Sequence, residues 1–171
     1  MTTIPKLLKS AVWAQAAVFS FALAGSAAAD AWIFGLGVND FTELSSDDRV
    51  VVGVEYQTDP FSNWFGADVT FAVAADAHSN GDYWVGAGIA GVYPLQDRWF
   101  AEFSVMPGYY DYDSPTTDIG SEFEIRSLIG LGRQISDNTA LSVALTHKSN
   151  AGTSDTNPGL NAVMLRLRVS Y

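Results

Sequence analysis

From residue 32 onward, apolar positions alternate with polar or small ones, in eight separate runs. Trp32, Phe34, Leu36 and Val38 form the first apolar row, and Val50, Val52, Val54 and Tyr56 the second. Phe65, Ala67, Val69, Phe71 and Val73 follow, then Tyr83, Val85, Ala87 and Ile89. Trp99, Ala101, Phe103 and Val105 make the fifth row, and Phe123, Ile125, Ile129 and Leu131 the sixth. Leu141, Val143 and Leu145 make the seventh, and Val163, Leu165, Leu167, Val169 and Tyr171 the eighth. A period of two is the signature of a β-strand with two unlike faces. The connectors are alternately long (39–48, 74–82, 109–120, 148–159) and short (58–63, 94–97, 134–138). An even number of strands, with long loops at one end and short turns at the other, is the plan of an outer-membrane barrel. The expected fold is therefore all-β: an eight-stranded antiparallel outer-membrane β-barrel, with its termini and short turns periplasmic.

The second faces of these strands carry Glu55, Asp68, Glu102, Glu124, Arg126, Arg166 and Arg168. Charges of both signs can pair inside a narrow barrel, whereas on a lipid face they are costly. Eight strands leave a lumen that side chains fill, so no pore is expected. Aromatic residues fall near strand ends on the other face: Tyr56, Phe65, Trp99 and Tyr171 at one rim, Tyr83 and Phe123 at the other. Such girdles belong at membrane interfaces. The chain ends in an alternating strand with a terminal aromatic, which resembles the signal read by barrel-assembly machinery. A soluble lipocalin-like barrel would invert the faces. It would leave that terminal strand unexplained and overfill a small lumen with bulky apolar groups.

Composition sharpens this picture. Lys6 and Lys9 precede a mostly apolar stretch, residues 11–25, and Ala27-Ala28-Ala29 offers a small-x-small cleavage site before Asp30. That order predicts a secretory signal peptide over residues 1–29 and a mature barrel domain over 30–171. A membrane-anchoring helix is the competing expectation. Gln15, Ser20 and Ser26 dilute it, and small residues crowd its end. The formal charge is −10, and removing Lys6 and Lys9, with no acid in residues 1–29, takes it to −12. So acidic a chain is not built for nucleic acid. It has no cysteine and only two histidines, His78 and His147, which excludes thiolate metal sites and multi-histidine centres.

The seventh strand carries the candidate chemistry. Its outward register, Leu141, Val143 and Leu145, extends to His147 and Ser149. Polar groups on a lipid face call for a functional account. A serine hydroxyl beside a neutral imidazole is the minimum for nucleophilic acyl transfer. Asn161 lies in the outward register of the eighth strand, just across the hairpin from His147. The intervening loop holds Asn150, Gly152 and Asn157, whose amides and glycine-exposed backbone N–H groups are candidate oxyanion donors. The competing view is that Asn, Gly, Pro and Ser are ordinary loop residues.

Thr146-His147-Lys148-Ser149-Asn150-Ala151-Gly152 and Asn157-Pro158-Gly159-Leu160-Asn161 resemble the C-terminal signature of the lipid A 3-O-deacylase (PagL-like) family. The run from Gly120 to Arg126 is similar to that family's sixth strand. The resemblance implies an outer-membrane esterase that removes the 3-O-linked acyl chain of lipid A. Ser149 would be the nucleophile, His147 the base, and lipopolysaccharide in the outer leaflet the substrate partner. No cofactor and no metal are implied. Where the family has an acid that orients the histidine, this chain has Asn161. An asparagine can orient an imidazole, but it offers the imidazolium no charge. Asp155 and Glu122 are the alternative acids. The competing functions are a non-catalytic outer-membrane barrel with a binding or structural role, and an acyl transferase. The acidic long-loop residues, among them Asp76, Asp82, Asp111, Asp113 and Asp118, read as solvated loop positions, His78 as surface, and Ser127 as packing.

Overall fold

The computed structural model describes residues 30–39, 49–113 and 115–171. The signal peptide expected at residues 1–29 lies outside the described residues, as do Asp40, Glu43, Asp47 and Asp48 of the first long connector.

The long strands are β1 (Ala31–Asn39), β2 (Arg49–Gln57), β4 (Ala67–His78), β5 (Tyr83–Pro94), β6 (Trp99–Asp111), β7 (Phe123–Gln134), β8 (Thr139–Ser149) and β9 (Leu160–Ser170). A three-residue strand, β3 (Ser62–Trp64), adds to β4. Every pairing is antiparallel between neighbours, β1 also pairs with β9, and β2 pairs with β4 across the short β3. The eight long strands thus close into a barrel with no free edge among them, the condition for satisfying backbone groups in lipid.

The faces follow the sequence register. Ile33, Val51, Glu55, Glu102, Arg126, Met164 and Arg166 are buried inside. Leu36, Val52, Phe71, Val105, Leu131, Val143 and Leu165 stand exposed outside. Ile129 is 66% exposed, an area of branched aliphatic surface that suits lipid and not water.

The lumen is held by ion pairs. Arg126 reaches Glu55 at 2.5 Å and Asp76 at 3.2 Å, and Lys148 reaches Asp76 at 2.8 Å. Arg166 bridges Glu55 at 3.0 Å and Glu102 at 2.7 Å. Three acids face three bases, so the network is neutral as a unit. Ser142 and Gln57 donate to the carboxylates, both at 2.6 Å. The Trp84 ring lies 4.9 Å from the Arg126 guanidinium, and its indole N–H donates to the Glu124 carbonyl at 3.1 Å. Removing charges from water is costly unless pairing and hydrogen bonding are this complete.

Several expectations change. The third strand starts at Ala67 rather than Phe65, because Phe65 and Gly66 take positive φ of 53° and 94° and make the turn from β3. Phe65 is fully exposed there, not a strand residue of the girdle. Part of the 58–63 connector is β3 itself. Strands β4 and β6 run further than their apolar patterns, to His78 and Asp111. His78 is therefore no surface residue: it points inward, is buried, and pairs with the Asn39 amide. Asp76 is likewise a lumen ion-pair partner rather than a loop acid. Asp82 is buried between loops instead of solvated. Its carboxylate accepts from Asn80 at 2.7 Å, Tyr110 at 2.9 Å, the Asp113 N–H at 2.9 Å and Thr117 at 3.1 Å.

Candidate active site

Strand β8 carries its outward row, Leu141, Val143 and Leu145, straight into His147 and Ser149 at the loop end of the barrel. The intervening residues Thr146 and Lys148 are buried inside. Lys148 is locked to Asp76, which fixes the strand's facing at the level of His147 and Ser149. A one-residue slip would turn His147 and Ser149 into the lumen.

On one side His147 has Asn161 of β9 as its register partner, and on the other Ser127 of β7. The His147 Nδ1 and Asn161 Oδ1 lie 2.9 Å apart. With the amide oxygen accepting, Nδ1 holds the ring proton and Nε2 is the ring's acceptor. Gly159 shapes the other side of the ring. It has φ of +73°, and a Cβ there would stand 2.9 Å from the imidazole Cε1. A side chain at 159 would push the ring off its seat. Ser149 lies two residues along β8, about 6.8 Å further at a strand's usual rise. Among the described residues no hydrogen bond joins its hydroxyl to the imidazole. Such bonds commonly tighten only with substrate in place.

The loop between β8 and β9 is ordered by Asn150, which is fully buried. Its Nδ2 donates to the Thr156 carbonyl at 2.7 Å, and its Oδ1 accepts from the Gly152 N–H at 2.9 Å. Its own N–H donates to Asn157 Oδ1 at 3.2 Å. The Ser154 hydroxyl donates to the Gly120 carbonyl at 2.7 Å, tying the loop to the one between β6 and β7. Gly120 permits that approach: a Cβ there would meet the Thr156 carbonyl oxygen at 2.2 Å.

The sequence candidates thus separate. His147 and Asn161 touch, and Ser149 stands beside them on the same face. Asn150 and Gly152 have the donors that could face an oxyanion engaged inside the loop. The Asn157 amide accepts through its oxygen, and its Nδ2 makes no hydrogen bond among the described residues. Asp155 is exposed and Glu122 lies in the loop before β7, and neither has a contact with His147 among the described residues. No sequence signal marks the buried role of Asn150, since it depends on partners in the folded loop.

A family model described as lipid A 3-O-deacylase (PagL) matches residues 50–170. The crystal structure of the outer membrane enzyme PagL superposes with a TM-score of 0.68 at 15% identity. The match covers 81% of this chain and 98% of that one. A de novo designed transmembrane β-barrel matches with a TM-score of 0.57 at 14% identity, over 84% of this chain and 95% of the other. A search of curated protein sequences returns no match.

Proposed function

The chain belongs to the lipid A 3-O-deacylase family, and from that premise we propose that it is an outer-membrane esterase that removes the 3-O-linked acyl chain of lipid A through Ser149 and His147. The observation that carries the proposal is the 2.9 Å contact of His147 Nδ1 with Asn161, beside Ser149 on the outward face. It leaves Nε2 free to accept the serine proton.

Ser149 Oγ attacks the ester carbonyl carbon while His147 Nε2 takes the hydroxyl proton. The tetrahedral oxyanion faces the β8–β9 loop, where Asn157 Nδ2 is a donor that makes no hydrogen bond among the described residues. Collapse breaks the ester C–O bond, and His147 returns the proton to the departing 3-oxygen. Water, activated by the same imidazole, then cleaves the acyl-serine and releases the fatty acid. No step requires a cofactor. The site opens toward the outer leaflet, so the substrate reaches it laterally, with its acyl chain along the apolar barrel wall.

The test is mass spectrometry of lipid A from cells that express the wild type, Ser149→Ala or His147→Ala at equal levels of folded, heat-modifiable barrel. The wild type should remove one acyl chain and each variant should leave lipid A intact. Deacylation by folded Ser149→Ala would remove the proposed nucleophile. Unchanged lipid A in all three would favour a non-catalytic barrel.

A further inference from the structure

The β3–β4 hairpin turns at Phe65-Gly66, where φ is 53° and 94°. Glycine takes positive φ freely, whereas the Cβ of a phenylalanine is crowded there. Phe65 is also fully exposed. The turn therefore holds a bulky aromatic in a disfavoured backbone state and buries none of it against the protein. Cross-ties keep it there. Asn63 Nδ2 donates to Asp68 Oδ1 at 2.9 Å, and Asn63 Oδ1 accepts from the Gly66 N–H at 3.0 Å. The Phe61 N–H donates to the Val69 carbonyl at 2.9 Å, and the Phe61 ring stacks on Phe71 with centroids 4.3 Å apart. A strained, exposed residue fixed this firmly calls for a gain outside the chain.

We propose that the tip of this hairpin is an interfacial anchor. Phe65 and Trp64 insert at the boundary between headgroups and acyl chains of the phospholipid leaflet on the short-turn side. Continuity with the lipid-facing wall selects that partner. Trp64 pairs with Ala67, so it stands in the outward row that runs on through Phe71 and Val73, both exposed. Tyr93 flanks the turn, since a Cβ at Gly66 would lie 3.0 Å from its ring. Phe61, Trp64 and Tyr93 are each close to half exposed, and Asn63 and Asp68 stand on the other face of the hairpin. Aromatic rings beside polar groups suit the membrane–water boundary. The apolar area that Phe65 removes from water offsets the cost of its turn. Between β4 and β8 lie β5, β6 and β7 one way round, and β9, β1 and β2 the other. The anchor is thus across the barrel from His147 and at its opposite end, and does not depend on the esterase reading.

The test uses the full-length barrel in vesicles of phosphatidylethanolamine and phosphatidylglycerol. The chain has no cysteine, so Phe65→Cys and Asp137→Cys each carry a single nitroxide label. The readout is access of the label to oxygen, which concentrates in the bilayer, and to a neutral nickel chelate, which stays in water. The label at 65 should meet oxygen and be shielded from nickel. The label at 137, on an exposed polar turn, should show the reverse. Nickel access at 65 equal to that at 137 overturns the inference and leaves Phe65 to a soluble partner. Guanidinium unfolding in the same vesicles gives a second reading that needs no label. Phe65→Gly relieves the turn, so a merely strained residue predicts a midpoint at or above wild type. The anchor predicts a lower midpoint for Phe65→Gly, and a lower one still for Phe65→Asp. A Phe65→Gly midpoint at or above wild type overturns the inference.

Discussion

Asn161 gives His147 a fixed tautomer but no negative charge. Replacing the carboxylate of a serine protease triad by an amide costs about 10⁴ in turnover, through the wrong tautomer. Here the amide oxygen accepts from Nδ1, so the tautomer is the productive one and only the charge is lost. Asn161→Glu should therefore raise kcat roughly tenfold, the difference of about 1–1.5 kcal/mol between charged and neutral hydrogen bonds. The added anion favours the imidazolium, so the acid limb of the pH–rate profile should move to higher pH. Asn161→Ala should lower the rate, and an unchanged rate would show that Asn161 orients nothing. At this scale the sequence was informative wherever strand periodicity decides. His147, Ser149 and Asn161 fall on one face because period two extends past the apolar residues. It was silent where folded loops decide. Nothing in Asn150-Ala151-Gly152 says that the Asn150 amide is buried and consumed, or that Gly159 seats the imidazole. His78 reads as a surface residue from its neighbours because the partner that buries it, Asn39, lies 39 residues away.

Elements past their apolar runs are held by polar partners. Strand β4 continues to His78 because Asp76 finds Arg126 and Lys148 in the lumen, a long-range reason that alternation cannot express. Asp82 does the same for the loops. Burial pushes its carboxyl up, but donors from Asp113, Asn80, Tyr110 and Thr117 outweigh burial and hold it below the ordinary carboxylate value. A depressed folded-state value contributes stability that is present above the unfolded value, about 3.9, and is lost as pH falls through the folded one. Hydrogen-exchange protection across residues 79–82, 112–113 and 116–118, relative to the intrinsic rate at each pH, should thus be kept at neutral pH and fall only below about pH 4. Asp82→Asn should expose the same segments at neutral pH, since an amide offers one acceptor oxygen to a site with four donors. Equal protection in the two proteins would show that the loops are held by other contacts.

The whole barrel is an inside-out design: lipid takes the apolar rows and the lumen takes a neutral set of charges. Closure, strand number and facing were legible because they follow from alternation and connector lengths alone. The neutrality of the lumen was legible in outline, since acids and bases shared a face, but which pairs meet depends on strand stagger. Arg126 is the hub, joining Glu55 to Asp76. Arg126→Met should destabilise the barrel by about 3–5 kcal/mol, because it leaves the buried network one positive charge short, with Glu55 keeping only Arg166 and Asp76 keeping only Lys148. Urea unfolding in detergent reads this, and a midpoint equal to wild type would show that the network is redundant. The short turn at Phe65-Gly66 and strand β3 escaped the sequence pattern because three residues are too few to show a period.

The central claim is that an outward Ser149, activated by His147, does the chemistry from the membrane side of the barrel wall. A long-chain alkyl fluorophosphonate, delivered in micelles, traps an activated serine covalently and is read by intact-mass and peptide mass spectrometry. The account predicts one adduct per chain, on the peptide holding Ser149. That adduct should be absent in Ser149→Ala and strongly slowed in His147→Ala. An adduct on a different serine, or ester cleavage by a wild-type protein whose Ser149 stays unmodified, would contradict it.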